Sequence, residues 1–263
     1  MEAPLTTSRT IFIGDVHGML DELDALTAKL SLTEGDRVVF VGDLIDKGPD
    51  PVGVVRRVGE LTERYGVETI LLRGNHEDKH LRYRRNLTER LSVANRQAKD
   101  APVLAEFHAE ASDADWAILE TTRPFVRFPE LGILALHGGI PGNFETFPET
   151  EEEMLASKGK ERDRLDKIWR TRFIDQDTGY FLGLGKARDG DPFWAEVYDG
   201  RFGHVVFGHQ PFMKGPGIYP HATGIDTGAV HGGALTAMIV TPDGNREFNS
   251  VPGRPFRVHL MED

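Results

Sequence analysis

Seven side chains able to hold a cation recur along the 263-residue chain in glycine-containing loops: Asp15, His17, Asp43, Asn75, His76, His137 and His209. Hard carboxylate and amide oxygens combined with neutral imidazoles suit manganese, iron, zinc or magnesium. The chain has no cysteine, which removes soft thiolate ligands and with them disulfides, cysteine-based zinc sites, iron–sulfur clusters and thiol nucleophiles. An Asp-x-His pair such as Asp15 and His17 can hold one ion, and a lone carboxylate such as Asp43 can bridge two. Taken singly, each residue has a plainer explanation: Asp43 as a cap or turn residue, Asn75 as a left-handed turn residue, His137 and His209 as polar residues near the surface. The block Gly14-Asp15-Val16-His17-Gly18 fixes four of five positions, a match that chance gives a chain of this length about once in 600. It is the joint occurrence, in order, that points to chemistry.

The loops that carry these residues follow short β-rich runs. Thr10 to Ile13, Val38 to Val41, Thr69 to Leu72, Ile133 to Leu136 and Val205 to Phe207 each stop at one of the clusters, and Leu235 to Val240 reads as a further strand. Between the first two runs, Leu20, Leu23, Leu26 and Leu30 fall three to four apart, as in a helix covering a sheet. Asp50-Pro51 supplies an N-cap and first-turn proline for a second helix that reaches Tyr65-Gly66. Strand, helix and strand in alternation predict an α/β fold with right-handed crossovers between parallel strands. Ligands in such sheets bind beyond the carboxyl ends of the strands, so the seven side chains are expected to converge there. Glu77 to Thr121 reads as a helical cover broken at Pro102 and capped again at Ser112, and Thr146 to Gly203, charged and interrupted by glycines, as a mobile insertion or cap. No linker or repeat appears, so residues 1–263 are taken as a single domain.

Composition narrows the partners. Hydrophobic residues at 39% and charged residues at 28% exclude intrinsic disorder and a coiled coil. A formal net charge of −11 is opposite in sign to the footprint of a duplex nucleic-acid binder, although metal ions or arginines can reverse the field inside one cleft. No apolar run reaches ~18 residues and Met1 to Arg9 is short and mixed, so neither a membrane span nor a signal peptide is expected, and the cytoplasm is the expected location.

The blocks GDVHG, GDLIDKG, LLRGNHE, LHGG and GHQP, spanning Gly14 to Pro211 in this order, resemble those of the calcineurin-like metallophosphoesterases. Within that family they look most like the phosphoprotein phosphatase branch and the bacterial symmetrical diadenosine tetraphosphate hydrolases. The resemblance implies a four-layer fold of two mixed β-sheets flanked by helices. It implies two divalent ions, manganese first with iron, zinc, cobalt or magnesium as alternatives. Asp15, His17 and Asp43 would hold one ion, and Asp43, Asn75, His137 and His209 the other. His76 would stand beside the leaving group, oriented and kept cationic by Asp46; Lys47 is taken as a substrate contact, and Arg73, in the motif itself, as a phosphate contact or the partner of a carboxylate. Two such ions activate a bridging water for in-line attack on phosphorus, with no covalent intermediate.

The substrate signals point two ways. Protein phosphatases of this branch carry Arg after the Asp of the second block, where this chain has Lys47, which cannot form a bidentate fork to phosphate. The segment Ile225-Asp226-Thr227-Gly228 to Gly232-Gly233-Ala234-Leu235-Thr236 looks like a block of the dinucleoside tetraphosphate hydrolases, whereas Glu77 after His76 is usual in protein phosphatases. The expected activity is therefore symmetrical hydrolysis of diadenosine tetraphosphate to two ADP, with a bacterial-type Ser/Thr or dual-specificity protein phosphatase as the alternative. Arg82, Arg84, Arg85, Arg170 and Arg172 could reach a polyphosphate, and Trp169, Phe173, Tyr180 and Phe181 could stack on adenine, each against the plainer reading of solvated surface or core.

Overall fold

A computed structural model describes residues 8–256, so most of Met1 to Arg9 lies outside the described residues. The chain runs β1 Thr10–Ile13, α1 Leu20–Leu30, β2 Arg37–Phe40, α2 Pro51–Tyr65, β3 Glu68–Leu71, then four helices, α3 Asn75–Glu89, α4 Leu91–Asp100, α5 Val103–Glu110 and α6 Asp113–Glu120. It continues through β4 Val126–Phe128, β5 Ile133–Ala135, α7 Glu151–Ala156, α8 Gly159–Leu165, α9 Trp194–Val197 and β6 His204–Phe207. β7 Gly217–Tyr219, β8 Ala222–Gly224, β9 Asp226–Thr227, β10 Ala234–Val240 and β11 Arg246–Pro252 complete it. One sheet has the order β11-β10-β1-β2-β3, with β9 on β10, and the other β4-β5-β6-β8-β7. The pairs β1 with β2, β2 with β3, β5 with β6 and β6 with β8 are parallel, and the rest are antiparallel.

Alternation along the strands builds the layers. Ile11 and Ile13 of β1 point to one face, where they meet Leu23 and Leu26 of α1 and Val55 and Val58 of α2. Phe12, between them, points to the other face and meets Phe128, Ile133 and Val206 of the second sheet. The remaining face of the second sheet, Leu134, Val205 and Phe207, is covered by Phe147, Met154, Leu165, Ile168, Trp169, Phe193 and Trp194. Two mixed sheets thus lie face to face with outer layers on both sides, as the family resemblance implied.

The details depart from the sequence reading in three places. Residues 146–203 carry one outer layer: Trp169 and Trp194 are each 1% exposed, so Trp169 is a core residue and cannot stack on a base. The apolar residues here follow no helical or strand period, which is why the segment reads from sequence as a mobile cap. Asn75 and His76 sit in the first turn of α3 and not in a loop. Five strands have no counterpart in the sequence reading, β4, β7, β8, β9 and β11. They are short or, like Arg246–Pro252, mostly solvent-facing edge strands without an apolar run. The expected caps do form: the Asp50 side chain accepts from Gly53 N–H at 2.7 Å ahead of Pro51, and Ser112 and Asp115 make a reciprocal capping box. No helix among the described residues is long and apolar enough to cross a membrane.

One histidine links the two sheets' stability to pH. His204 Nε2 accepts from Arg246 Nη1 at 2.8 Å and lies 2.9 Å from Thr223 Oγ1. Burial, then the charge of Arg246 and the neighbouring His221, push its pKa down from 6.5 to about 4. A depressed folded pKa stabilises the fold fully above the unfolded value, and that contribution drains as pH falls from 6.5 towards 4. The variant His204→Gln should therefore unfold at lower urea than the parent at pH 7, and the gap should close by pH 4.5. Parallel urea midpoints at the two pH values check this, and a gap that is constant with pH would remove His204 from the account.

Candidate metal centre and active site

The strand ends deliver the chemistry. The loop after β1 brings Asp15 and His17, β2 leads to Asp43 and Asp46, β3 to the first turn of α3 with Asn75 and His76, β5 to His137 and β6 to His209. Among the described residues six non-glycine residues have positive φ, and five of them are here: His17 at 46°, Asp43 at 51°, Asp46 at 67°, Lys47 at 63° and His209 at 68°. Such conformations cost about 1–3 kcal/mol each and persist where surrounding structure over-determines them. Gly74 is required for contact and not for φ. A Cβ there would lie 2.1 Å from Asp43 Oδ1 and 2.5 Å from Asp43 N.

Two buried groups of donors share one carboxylate. His17, Asp43 and His76 form one, and Asp43, His137 and His209 the other, each with ligand atoms within 4.8 Å of one another. Asp43 Oδ2 is 3.6 Å from His17 Nε2, 3.9 Å from His76 Nε2 and 3.3 Å from His137 Nε2. His137 Nδ1 lies 2.9 Å from the Val41 carbonyl, which can only accept, so Nδ1 carries the proton. In the neutral ring Nε2 is then a lone pair, and it faces Asn75 Oδ1 at 3.0 Å as well as the Asp43 carboxylate. Three acceptors converging on one another is the arrangement that a shared cation satisfies. His17 repeats it, with Nδ1 donating to the Ile45 carbonyl at 2.9 Å and Nε2 turned inward.

Charge points the same way. Burial, then the nearby Asp226 and Asp43 carboxylates, push the Asp15 carboxyl well up. Burial would also raise Asp43, but the imidazoles of His137, His76 and His17 outweigh it and hold Asp43 well below the usual carboxylate range. Asp15 accepts the His209 backbone N–H at 3.0 Å, which ties the first loop to the last. The residue set therefore fits divalent cations by donor chemistry, tautomer and charge. Beside it, His76 Nδ1 meets Asp46 Oδ2 at 2.6 Å, with the His76 ring 4.9 Å from that of His17.

A family model described as calcineurin-like phosphoesterase matches residues 8–213. The chain belongs to that family. Curated relatives of this phosphoesterase include proteins named bis(5'-nucleosyl)-tetraphosphatase PrpE (asymmetrical). The one from Oceanobacillus iheyensis is 29% identical across 95% of both chains, and the one from Bacillus velezensis 32% identical across 86% of both. A solved structure provisionally named a diadenosine tetraphosphatase superposes with a TM-score of 0.65 at 30% identity, covering 96% of each chain.

Around the phosphoesterase centre stands a supporting set that the sequence reading did not assign. Glu77, fully buried, accepts from Asp43 N–H at 2.9 Å and Gly74 N–H at 2.8 Å through one oxygen, and from Leu44 N–H at 2.8 Å through the other. It clamps the second and third loops together. His80 Nε2 meets the second Asp46 oxygen at 2.8 Å, so Asp46 is held between two imidazoles. Burial raises the Asp46 carboxyl, but His80 and His76 overcome this and keep it far below the usual range. Asp226 is buried close enough to Asp15 to raise it, and accepts from Gly228 N–H at 2.9 Å. The i,i+4 spacing of His76 and His80 on one helix face was the available signal. Reading Asn75-His76 as loop concealed it.

The two residues expected on substrate fare differently. Lys47 Nζ lies 2.9 Å from His17 Nε2, within the donor cluster. Arg73 instead donates to Thr122 Oγ1 at 3.2 Å and to the Thr122 carbonyl at 3.0 Å, and lies over the Trp169 ring at 5.7 Å. It pins the end of β3 to the loop before β4. Arg84 is engaged by Asp113 and Glu120, away from the centre. Arg170 donates to Asp78 at 2.7 Å and Arg172 to the His209 carbonyl at 2.9 Å, so both border it.

Removing the clamp has a cost that can be measured. Glu77→Ala would leave three backbone N–H groups without their carboxylate, at about 1–3 kcal/mol for each one left buried, and incomplete relaxation should bring the total near 3 kcal/mol. Equilibrium urea unfolding should show a lower midpoint at unchanged slope. A loss below about 1 kcal/mol would mean that water or a rearranged loop replaces the clamp.

Proposed function

We propose that this phosphoesterase hydrolyses dinucleoside tetraphosphates, using two divalent ions held by Asp15, His17, Asp43, Asn75, His137 and His209. The observation that carries the proposal is the shared Asp43 carboxylate between two buried histidine groups, with the Asp46–His76 pair alongside. Ions bound there would supply Lewis-acid stabilisation of phosphoryl charge and activation of water. The chain's own residues do the rest. Asp46 accepts the Nδ1 proton of His76, which fixes the ring and favours its cationic form, leaving the Nε2 proton for the departing oxygen. His80, on the other Asp46 oxygen, holds that carboxylate in place. Lys47 adds a positive charge beside His17 for an anionic substrate. Burial of Asp46, His76, His80 and the proposed ligands limits bulk water there and strengthens each of their contacts.

For the bond that is cut, we favour the asymmetrical position, giving a nucleoside monophosphate and a nucleoside triphosphate. The relatives that align with nearly the whole chain carry the asymmetrical name. The segment behind the symmetrical expectation has a structural explanation: Thr227 Oγ1 bonds both the Ala234 carbonyl and Thr236 Oγ1 at 2.6 Å, and a Cβ on Gly233 would lie 2.1 Å from the Thr227 carbonyl. It secures β9 against β10 and says nothing of the scissile bond. Incubating manganese-loaded protein with diadenosine tetraphosphate and resolving nucleotides by chromatography tests the reading. AMP and ATP in equal amounts support it, ADP alone restores the symmetrical cut, and an inert dinucleotide beside rapid phosphate release from a phosphothreonine peptide replaces it with a protein phosphatase.

A further inference from the structure

Next to the metal centre is a cavity of about 200 Å³ lined by Arg170, Arg172, Phe173, Leu182, Leu184 and Ala187. Its two arginines reach both sides of the centre. Arg170 is bound to Asp78, two residues beyond His76, and Arg172 to the carbonyl of His209. Behind this cationic rim the lining is apolar, with Phe173 38% and Leu184 56% exposed. The segment is built and not loose. Phe173 pairs with Phe193 and Ile174 with Phe181 as β-bridges, Leu182 N–H donates to the Phe173 carbonyl at 3.1 Å, and Arg188 joins Asp175 at 2.6 Å.

We propose that this cavity seats one nucleoside end of the substrate, a refinement that rests on the dinucleotide reading above. A nucleoside phosphate matches it by charge and by shape: an anionic chain leads from the metal centre past two guanidinium groups, on a protein of net charge −11, to a flat ring set on Phe173, Leu182 and Leu184. The volume is below the ~300–1,000 Å³ of pockets that enclose a whole drug-sized ligand, so it takes one end and leaves the rest of the substrate outside. Occupancy by a base would fix how far along the phosphate chain the metal centre engages, so the cavity sets the position of the cut.

The test separates the base from the phosphate. Binding of AMP and of ribose 5-phosphate to the manganese-loaded protein is compared by calorimetry, for the parent, for Leu184→Glu and for the volume-conserving Leu184→Met; Leu184 is exposed, so both variants should fold. The parent and Leu184→Met should bind AMP at least about tenfold more tightly than ribose 5-phosphate. Leu184→Glu should lose that preference, while the urea unfolding midpoint stays unchanged in all three. Equal binding of the two ligands by the parent, or a preference that survives in Leu184→Glu, overturns the proposal. A base preference that disappears in Leu184→Glu, beside a dinucleotide that is not hydrolysed, would leave the cavity assigned and the substrate reading refuted. Dinucleotide turnover without base preference would do the reverse.

Discussion

Asp43→Asn should reduce metal-dependent turnover of p-nitrophenyl phosphate by about 10³-fold or more, with loss of bound metal and little change in fold. Asp43 is the only residue common to both buried donor groups, and its Oδ2 faces the inward nitrogens of three histidines. Asparagine keeps an oxygen for the His76 backbone N–H, which Asp43 Oδ1 accepts at 3.1 Å, but puts an NH₂ donor where a cation needs a lone pair. Metal stabilisation of transition-state charge is worth several kcal/mol, and 4 kcal/mol corresponds to about 10³ in rate. Metal content by mass spectrometry and kcat/KM, measured on the same preparation, check the prediction. A variant that retains the parent's metal content and turnover would take Asp43 out of the centre.

His76→Asn should lower kcat by about 10²–10⁴ on substrates with poor leaving groups and by much less on p-nitrophenyl phosphate, whose phenolate departs without a proton. The two groupings of His76, with His17 and Asp43 on one side and with Asp46 on the other, give this experiment its resolving power. If His76 serves as proton donor, bound metal is retained and only the leaving-group dependence changes. If it serves as a ligand, metal is lost and every substrate slows alike. His80→Gln, which disturbs only the far side of Asp46, should give the same leaving-group pattern at about tenfold or less, within the usual effect of residues that orient a working group.

What could be read from sequence follows from how local each signal is. Asp15, His17, Asp43, His137 and His209 were legible because each follows a short apolar strand and stands next to a glycine, information carried within five residues. The convergence of β1, β2 and β3 followed from the same alternation. Glu77 and His80 escaped because their long-range partners, Asp43, Leu44 and Asp46, are more than thirty positions away, and the local signal, the i,i+4 spacing of His76 and His80, shows only once both residues are placed on a helix. The motif marks Arg73 for phosphate or a carboxylate, and its bonds to Thr122 are contacts that no spacing rule supplies. The layer over the second sheet was hidden for another reason. Phe147, Met154, Ile168, Trp169 and Trp194 reach the core from short helices and irregular chain, so their burial leaves no period to detect.

The left-handed backbone at His17, Asp43, Asp46, Lys47 and His209 also bears on any attempt to harden this protein against heat. Replacing such positions by glycine releases a steric penalty of roughly 1–2 kcal/mol each, offset in part by the larger backbone entropy that glycine loses on folding. At these five positions the relaxed residue would lack the imidazole, carboxylate or ammonium that the conformation exists to aim. A search for thermostable variants that scores folding alone would be drawn to these loops and would return inactive proteins. The same search confined to helices other than α3, and to the outer layers away from Arg170 to Ala187, would meet no such conflict.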